Sequence, residues 1–268
     1  MRGKHSSTAA MLGTMVRGLF LSLLVLLTLA ACDQVVRGDK LTPQAEGNAV
    51  AVSNLNLGIA YMQQGEFEKA LDKLNRALEA DPKYTPTLNA LGILYQRLGK
   101  DAAAEGYFKQ ALSINGNDPH TLTNYGQFLC SHNQYDRAQE FFHKAASNPL
   151  YESPEKALTN AGTCALSTGQ VAAAEAFFMQ ALERNPGVAI ALLQMAKISF
   201  DKGDYPAARD YLRRYTQLER HTAESLWLGI RIEQQLGDKN ALSSYALLLK
   251  NNFPDSREAG LLRESGLK

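Results

Sequence analysis

Residues 51–84 read AVSNLNLGIAYMQQGEFEKALDKLNRALEADPKY, and their spacing decides the fold. Leu57-Gly58 is followed by Tyr61, a turn at Gly65, then Ala70, Leu74, Ala77 and Pro82. Apolar residues at three- and four-residue intervals on both sides of a glycine turn describe two amphipathic helices folded back on each other. Gly58 and Ala70 are small where the helices must approach closely, and Tyr61 and Leu74 fill the space beside them. Pro82 ends the second helix, because proline cannot continue the hydrogen-bond ladder. The unit then returns: Gly92 lies 34 residues after Gly58 and Gly126 lies 34 after that. Gly162 follows at 36, Ala196 at 34 and Gly229 at 33.

A period near 34 with L-G-x-x-Y, then A-x-x-x-F, then Pro resembles the tetratricopeptide repeat (TPR). The resemblance implies an all-α chain, a right-handed superhelix of six TPR hairpins over residues 49–256. Residues 257–268 are a tail or a short capping helix. Repeat 2 keeps Leu91-Gly92, Tyr95, Gly99, Ala104, Phe108 and Ala111. Repeat 3 keeps Tyr125-Gly126, Ala138, Phe142 and Ala145, and its exit, residues 148–154, is two residues long for the period. Repeat 4 keeps Gly162, Gly169, Ala174, Phe178 and Ala181. Repeat 5 drifts, with Ala196 for the glycine and Tyr215 where Ala is usual; repeat 6 recovers Leu228-Gly229, Ala241 and Tyr245.

The N-terminus has another character. Arg2, Lys4 and Arg17 precede an apolar run from Leu19 to Leu29 and then Ala30-Ala31-Cys32, the order of a signal peptide over residues 1–31. Leu29-Ala30-Ala31-Cys32 resembles the bacterial lipobox, which implies acylation of Cys32; an uncleaved anchor or an ordinary secretion signal is the other reading. Acyl chains would hold the protein to a membrane with roughly 0.8 kcal/mol per buried CH₂. Residues 32–48 are then a lipidated end and a polar tether. Asp33 follows the cysteine. In enteric bacteria an Asp there retains lipoproteins in the inner membrane, so the inner membrane stays open beside the outer.

Lys+Arg 28 against Asp+Glu 27 gives a formal charge of +1, and without the first 31 residues 25 basic face 27 acidic residues. No strong field is present, which disfavours nucleic acid as a partner. No acid/base pair, phosphate loop or cofactor motif converges, so no enzyme and no cofactor are expected. Cys130-x-His132 lacks a second close ligand pair, so no metal is expected either.

Cys130 and Cys164 occupy the first helices of repeats 3 and 4. With Gly126 and Gly162 in register, the two lie two residues apart along neighbouring helices, about 3 Å of rise. Helix axes about 8–10 Å apart leave a gap within disulfide range. An exported protein meets an oxidising compartment. A Cys130–Cys164 disulfide is expected, with two small buried thiols as the bland reading.

In TPR hairpins the first helix lines the concave surface, with binding positions at 2, 5, 9, 12 and 13 of each unit. Repeat 1 places Val52, Leu55, Ile59, Met62 and Gln63 there, and repeat 2 places Asn89, Ile93, Gln96 and Arg97. Leu55, Ile59, Met62 and Ile93 read as an apolar grip with Gln63, Gln96 and Arg97 as its polar rim, or as packing beneath a segment preceding Ala51. Repeats 3 and 4 are largely polar at these positions: Thr123, Gln127, Ser131, Thr159, Thr163 and Ser167, with Leu166 an exception. Asn56, Asn124 and Asn160 recur at position 6, either for hydrogen bonds to an extended peptide or as the repeat's own consensus.

Further residues narrow the resemblance. They are Asn124 to Cys130, Asn148-Pro149-Leu150-Tyr151, Asn160 to Leu166, Leu228 to Arg231, and Ser244 to Lys250. With the lipobox, these resemble the type IV pilus biogenesis and stability lipoproteins, the PilW/PilF pilotin family. That resemblance implies an outer-membrane lipoprotein facing the periplasm. Its expected partners are the type IV pilus secretin, the lipoprotein-sorting machinery and, through lipid, the membrane. A scaffold lipoprotein that organises envelope assembly without escorting a secretin is the alternative.

Overall fold

The computed structural model describes residues 48–267. Cys32 and the tether to Gly47 therefore lie outside the described residues. Within them are thirteen α-helices and no strand. They pair as hairpins: α1 (Ala49–Gln63) with α2 (Phe67–Ala80), α3 (Thr85–Arg97) with α4 (Asp101–Ile114), and α5 (Pro119–Ser131) with α6 (Tyr135–Ala146). Then come α7 (Pro154–Ser167) with α8 (Val171–Arg184), α9 (Ala189–Asp201) with α10 (Tyr205–Leu218), and α11 (Ala223–Leu236) with α12 (Lys239–Asn252). The array is a right-handed TPR superhelix, closed at its C-terminal end by α13 (Arg257–Glu264), which packs on α11 and α12.

Small-against-large packing holds each hairpin together. A Cβ placed on Gly92 would sit 2.7 Å from the Phe108 ring, and one on Gly126 or Gly162 would sit 2.7 Å from Phe142 or Phe178. These aromatic rings are at most 1% exposed. Burying each contributes ~1.5–3 kcal/mol, and only a glycine on the facing helix lets the backbones come that close. The flanking alanines, such as Ala104 and Ala111 around Phe108, are also fully buried.

The turn within each hairpin needs a residue in the left-handed region, supplied by glycine at Gly65, Gly99, Gly169, Gly203 and Gly237. Repeat 3 has Asn133 there, at φ 59°, the sole described non-glycine residue with positive φ. Asparagine tolerates that region better than other side chains.

Two regions depart from the expected pattern. Gly229 lies eight residues before its turn glycine Gly237, whereas Gly58, Gly92, Gly162 and Ala196 lie seven before theirs. One extra residue turns a helix by about 100°, so α12 buries Leu242, Ala246 and Leu249. Ala241 is half-buried, and Tyr245, also half-buried, still covers Gly229, where a Cβ would meet its ring at 3.0 Å. In repeat 5, Tyr215 stands in the alanine position and is still buried.

The long exit of repeat 3 is ordered by its first residue. Asn148 Nδ2 donates to the Asn117 carbonyl at 2.8 Å, and its Oδ1 accepts from the Leu150 N–H at 2.9 Å. Tyr151 turns inward against the edge of His120, ring centroids 5.4 Å apart. Leu150 points outward and is 82% exposed.

Candidate functional site

The inner surface is built from the first helix of each hairpin, and in repeats 1 and 2 it differs from the sequence expectation. Leu55 is fully buried and Met62 is 4% exposed. Both belong to the core formed with Ala51, Ala70, Leu74, Ala77 and Leu91. They are corrected from contact residues to interior residues, because positions 5 and 12 turn into the seam with α2 and α3 rather than outward.

Ile59 and Ile93 are half-buried, their inner sides on that core, and with half-buried Val52 they form the apolar part of this surface. Gln63 is exposed beside them. Arg97 Nη1 donates to the Met62 carbonyl at 3.1 Å, a second donor beside the Gly65 N–H at 3.3 Å at the end of α1. Gln96 Nε2 donates to Ser131 Oγ at 3.4 Å, reaching from repeat 2 to repeat 3. The rim therefore also ties neighbouring repeats together.

Further along, Thr123 and Thr159 are buried, and their hydroxyls donate to the carbonyls of Pro119 and Glu155 on their own helices. Gln127, Ser131, Thr163 and Ser167 are exposed, so the middle of the surface is polar. Asn124 Nδ2 donates to Asn89 Oδ1 at 3.1 Å, an amide rung between repeats 2 and 3. Asn56 is exposed and Asn160 half-buried.

Cys130 on α5 and Cys164 on α7 are bonded, with Cα atoms 6.0 Å apart and a sequence separation of 34. The bridge fastens the first helices of repeats 3 and 4 directly. Next to it, His132 bridges two elements: Nε2 lies 3.0 Å from Asp101 Oδ2, and Nδ1 lies 2.8 Å from the Phe128 carbonyl. With an acceptor at each nitrogen, chiefly the Asp101 carboxylate, the imidazole pKa is raised. Glu105 takes hydrogen bonds from Lys109 and Tyr125, which hold its carboxyl below the usual range.

None of these groups makes a catalytic constellation. Among the described residues no three His, Cys, Asp or Glu side chains gather as a metal site. The sequence reading missed one feature, a cleft of about 270 Å³ at the C-terminal end of the same face, between α9, α11 and α13. Its signal was the chain's only tryptophan, Trp227, at position 6 of repeat 6.

Comparison with known proteins agrees with this architecture. Tetratricopeptide repeat models match residues 49–116, 107–140, 129–189 and 165–227. The chain is 30% identical over 204 residues to the type IV pilus assembly protein PilF of Pseudomonas aeruginosa, covering 76% of this chain and 81% of that protein. The structure of Pseudomonas aeruginosa PilF superposes with a TM-score of 0.73 at 29% identity, over 81% of this chain and 97% of that one. The crystal structure of PilW, a widely conserved type IV pilus biogenesis factor, superposes at 0.71 and 30% identity, over 81% and 100%. The chain belongs to the PilF/PilW family of type IV pilus tetratricopeptide-repeat proteins.

Proposed function

We propose that the protein is a pilotin: anchored by lipid at Cys32, it binds secretin subunits and promotes their multimerisation in the outer membrane. The family places it in type IV pilus biogenesis. The observation that supports a grip is the graded inner surface. It is apolar at Val52, Ile59 and Ile93, with Gln63 exposed beside them, and polar at Gln127, Ser131, Thr163 and Ser167. An apolar secretin segment gains most where side chains of the first two repeats can be covered. Leu55 and Met62 support that surface from within instead of touching the partner. Gln96 and Arg97 hold the repeats in register and offer polar edges.

Delivery follows from the anchor. A lipoprotein carried to the outer membrane by the sorting machinery takes a bound subunit with it, and no covalent step is required. Deletion should abolish detergent-resistant secretin multimers, and wild-type protein should restore them. Ile59→Asp with Ile93→Asp, at wild-type abundance, should not. Intact multimers with a weakened envelope in the deletion strain would instead favour a scaffold lipoprotein.

A further inference from the structure

The cleft between α9, α11 and α13 brings together an indole that also packs on the core of the last repeat, two contacts between repeats, and charges of both signs. Its floor is the half-buried indole of Trp227, flanked by Leu261 of the capping helix. Two contacts fix the relative position of α9 and α11 around it: Lys197 pairs with Glu224 at 2.6 Å, and the Arg231 guanidinium lies 4.1 Å from the Phe200 ring centroid. Stacked in this way, Arg231 keeps its N–H edge free, the arrangement that takes a carboxylate in two parallel hydrogen bonds.

The remaining charges of the cleft make no ion pair. Arg231 has no carboxylate partner and Arg257 on α13 makes no ion pair, while Asp201 and Glu258 line the same cleft without a cation. A purely anionic ligand would meet Asp201 and Glu258, and a purely cationic one would meet the two arginines. A cleft that leaves charges of both signs unpaired around an indole is complementary to a ligand with charges of both signs around an apolar group. Its volume is near the lower end for a small-ligand site, suited to part of a peptide.

We propose that this cleft is a second peptide-binding site, which takes an extended segment of a partner protein with an apolar side chain flanked by one acidic and one basic residue. The apolar side chain lies on Trp227 and Leu261, the acid meets Arg231 and Arg257, and the base meets Asp201 and Glu258. The site is independent of the secretin grip, since it lies on repeats 5 and 6 and its ligand is charged.

Trp227 supplies the only indole N–H resonance, so the protein reports on the cleft without a label. The experiment titrates ¹⁵N-labelled protein, residues 33–268, with acetylated, amidated tripeptides: Glu-Leu-Lys, its neutral counterpart Gln-Leu-Gln, and Glu-Leu-Glu. The expected result is a saturable shift of the Trp227 indole peak with Glu-Leu-Lys. Binding of the other two peptides should be weaker by about fivefold or more. Arg257→Gln and Arg231→Gln should weaken Glu-Leu-Lys similarly; if Arg231→Gln loses helical signal through its lost stack on Phe200, the exposed Arg257→Gln carries the comparison. Equal binding of Gln-Leu-Gln would overturn the charge complementarity. Tighter binding of Glu-Leu-Glu would make the site an anion site and overturn the proposal. No shift with any of the three at millimolar concentration would remove the site altogether.

Discussion

Replacing Gly92 by alanine tests whether close approach within the hairpin, rather than helix propensity, sets the repeat. The new methyl would meet the Phe108 ring at 2.7, 2.8 and 2.9 Å from three of its atoms. Phe108 cannot swing aside, because Tyr125 and Phe128 hold it at centroid distances of 5.7 and 5.8 Å. Overpacking of this kind costs ~1–3 kcal/mol, against about 1 kcal/mol gained by removing glycine from a helix interior. A net loss of up to about 2 kcal/mol follows. Gly106, in the middle of α4, is the internal control, since a Cβ there meets nothing within 4 Å. Gly106→Ala should therefore gain ~0.5–1 kcal/mol. For a unit of this size the two variants should melt about 1–12 °C apart, with Gly106→Ala the more stable. Circular dichroism melts supported by urea titrations measure the difference. If Gly92→Ala melted at or above Gly106→Ala, the ring contact would not be the constraint described here.

Other perturbations have equally definite outcomes. Alkylation of the unreduced, denatured protein should leave Cys130 and Cys164 unlabelled, and Cys130→Ser with Cys164→Ser should cost about 3–4 kcal/mol in urea, the chain-entropy value for such a loop. Because the folded pKa of His132 is raised, its contribution is fully present below the unfolded value and is lost as pH rises through the higher folded value. Stability should therefore decline as pH rises through that folded value, and His132→Asn should flatten that part of the profile. Glu233 is 4% exposed and accepts two hydrogen bonds from Arg209, one at 3.0 Å. Arg209→Ala should cost ~1–3 kcal/mol by leaving a buried carboxylate short of donors, and adding Glu233→Leu should recover part of it.

Much of this fold is legible as sequence because its constraint is local and recurs. Gly92 with Phe108 and Gly126 with Phe142 are each separated by sixteen residues across one turn, so the helix period and the turn glycine specify them together. The same register arithmetic reached Cys130 and Cys164, since equivalent residues of neighbouring repeats are adjacent. It failed where exposure depends on rotation. Leu55 and Ile59 are one helical turn apart, and both read as inner-face residues, but Leu55 packs fully into the core and Ile59 stays half open. At α12 the extra residue makes Leu242 and Ala246 the buried positions and leaves Ala241 half-buried, while Tyr245 keeps its expected place over Gly229. The Trp227 cleft draws its walls from α9, α11 and α13, and α13 lies outside the repeat altogether. No period within the repeats predicts such a meeting.

The proposed secretin grip on repeats 1 and 2 is tested most directly by site-specific photo-crosslinking in living cells. A benzophenone side chain would replace Gln63 at the apolar end of the surface or Thr163 in its polar middle, both exposed. A covalent adduct containing the secretin is expected from position 63 and little or none from position 163. An adduct from position 163 alone, or no secretin adduct from position 63 in cells that still assemble multimers, would contradict it.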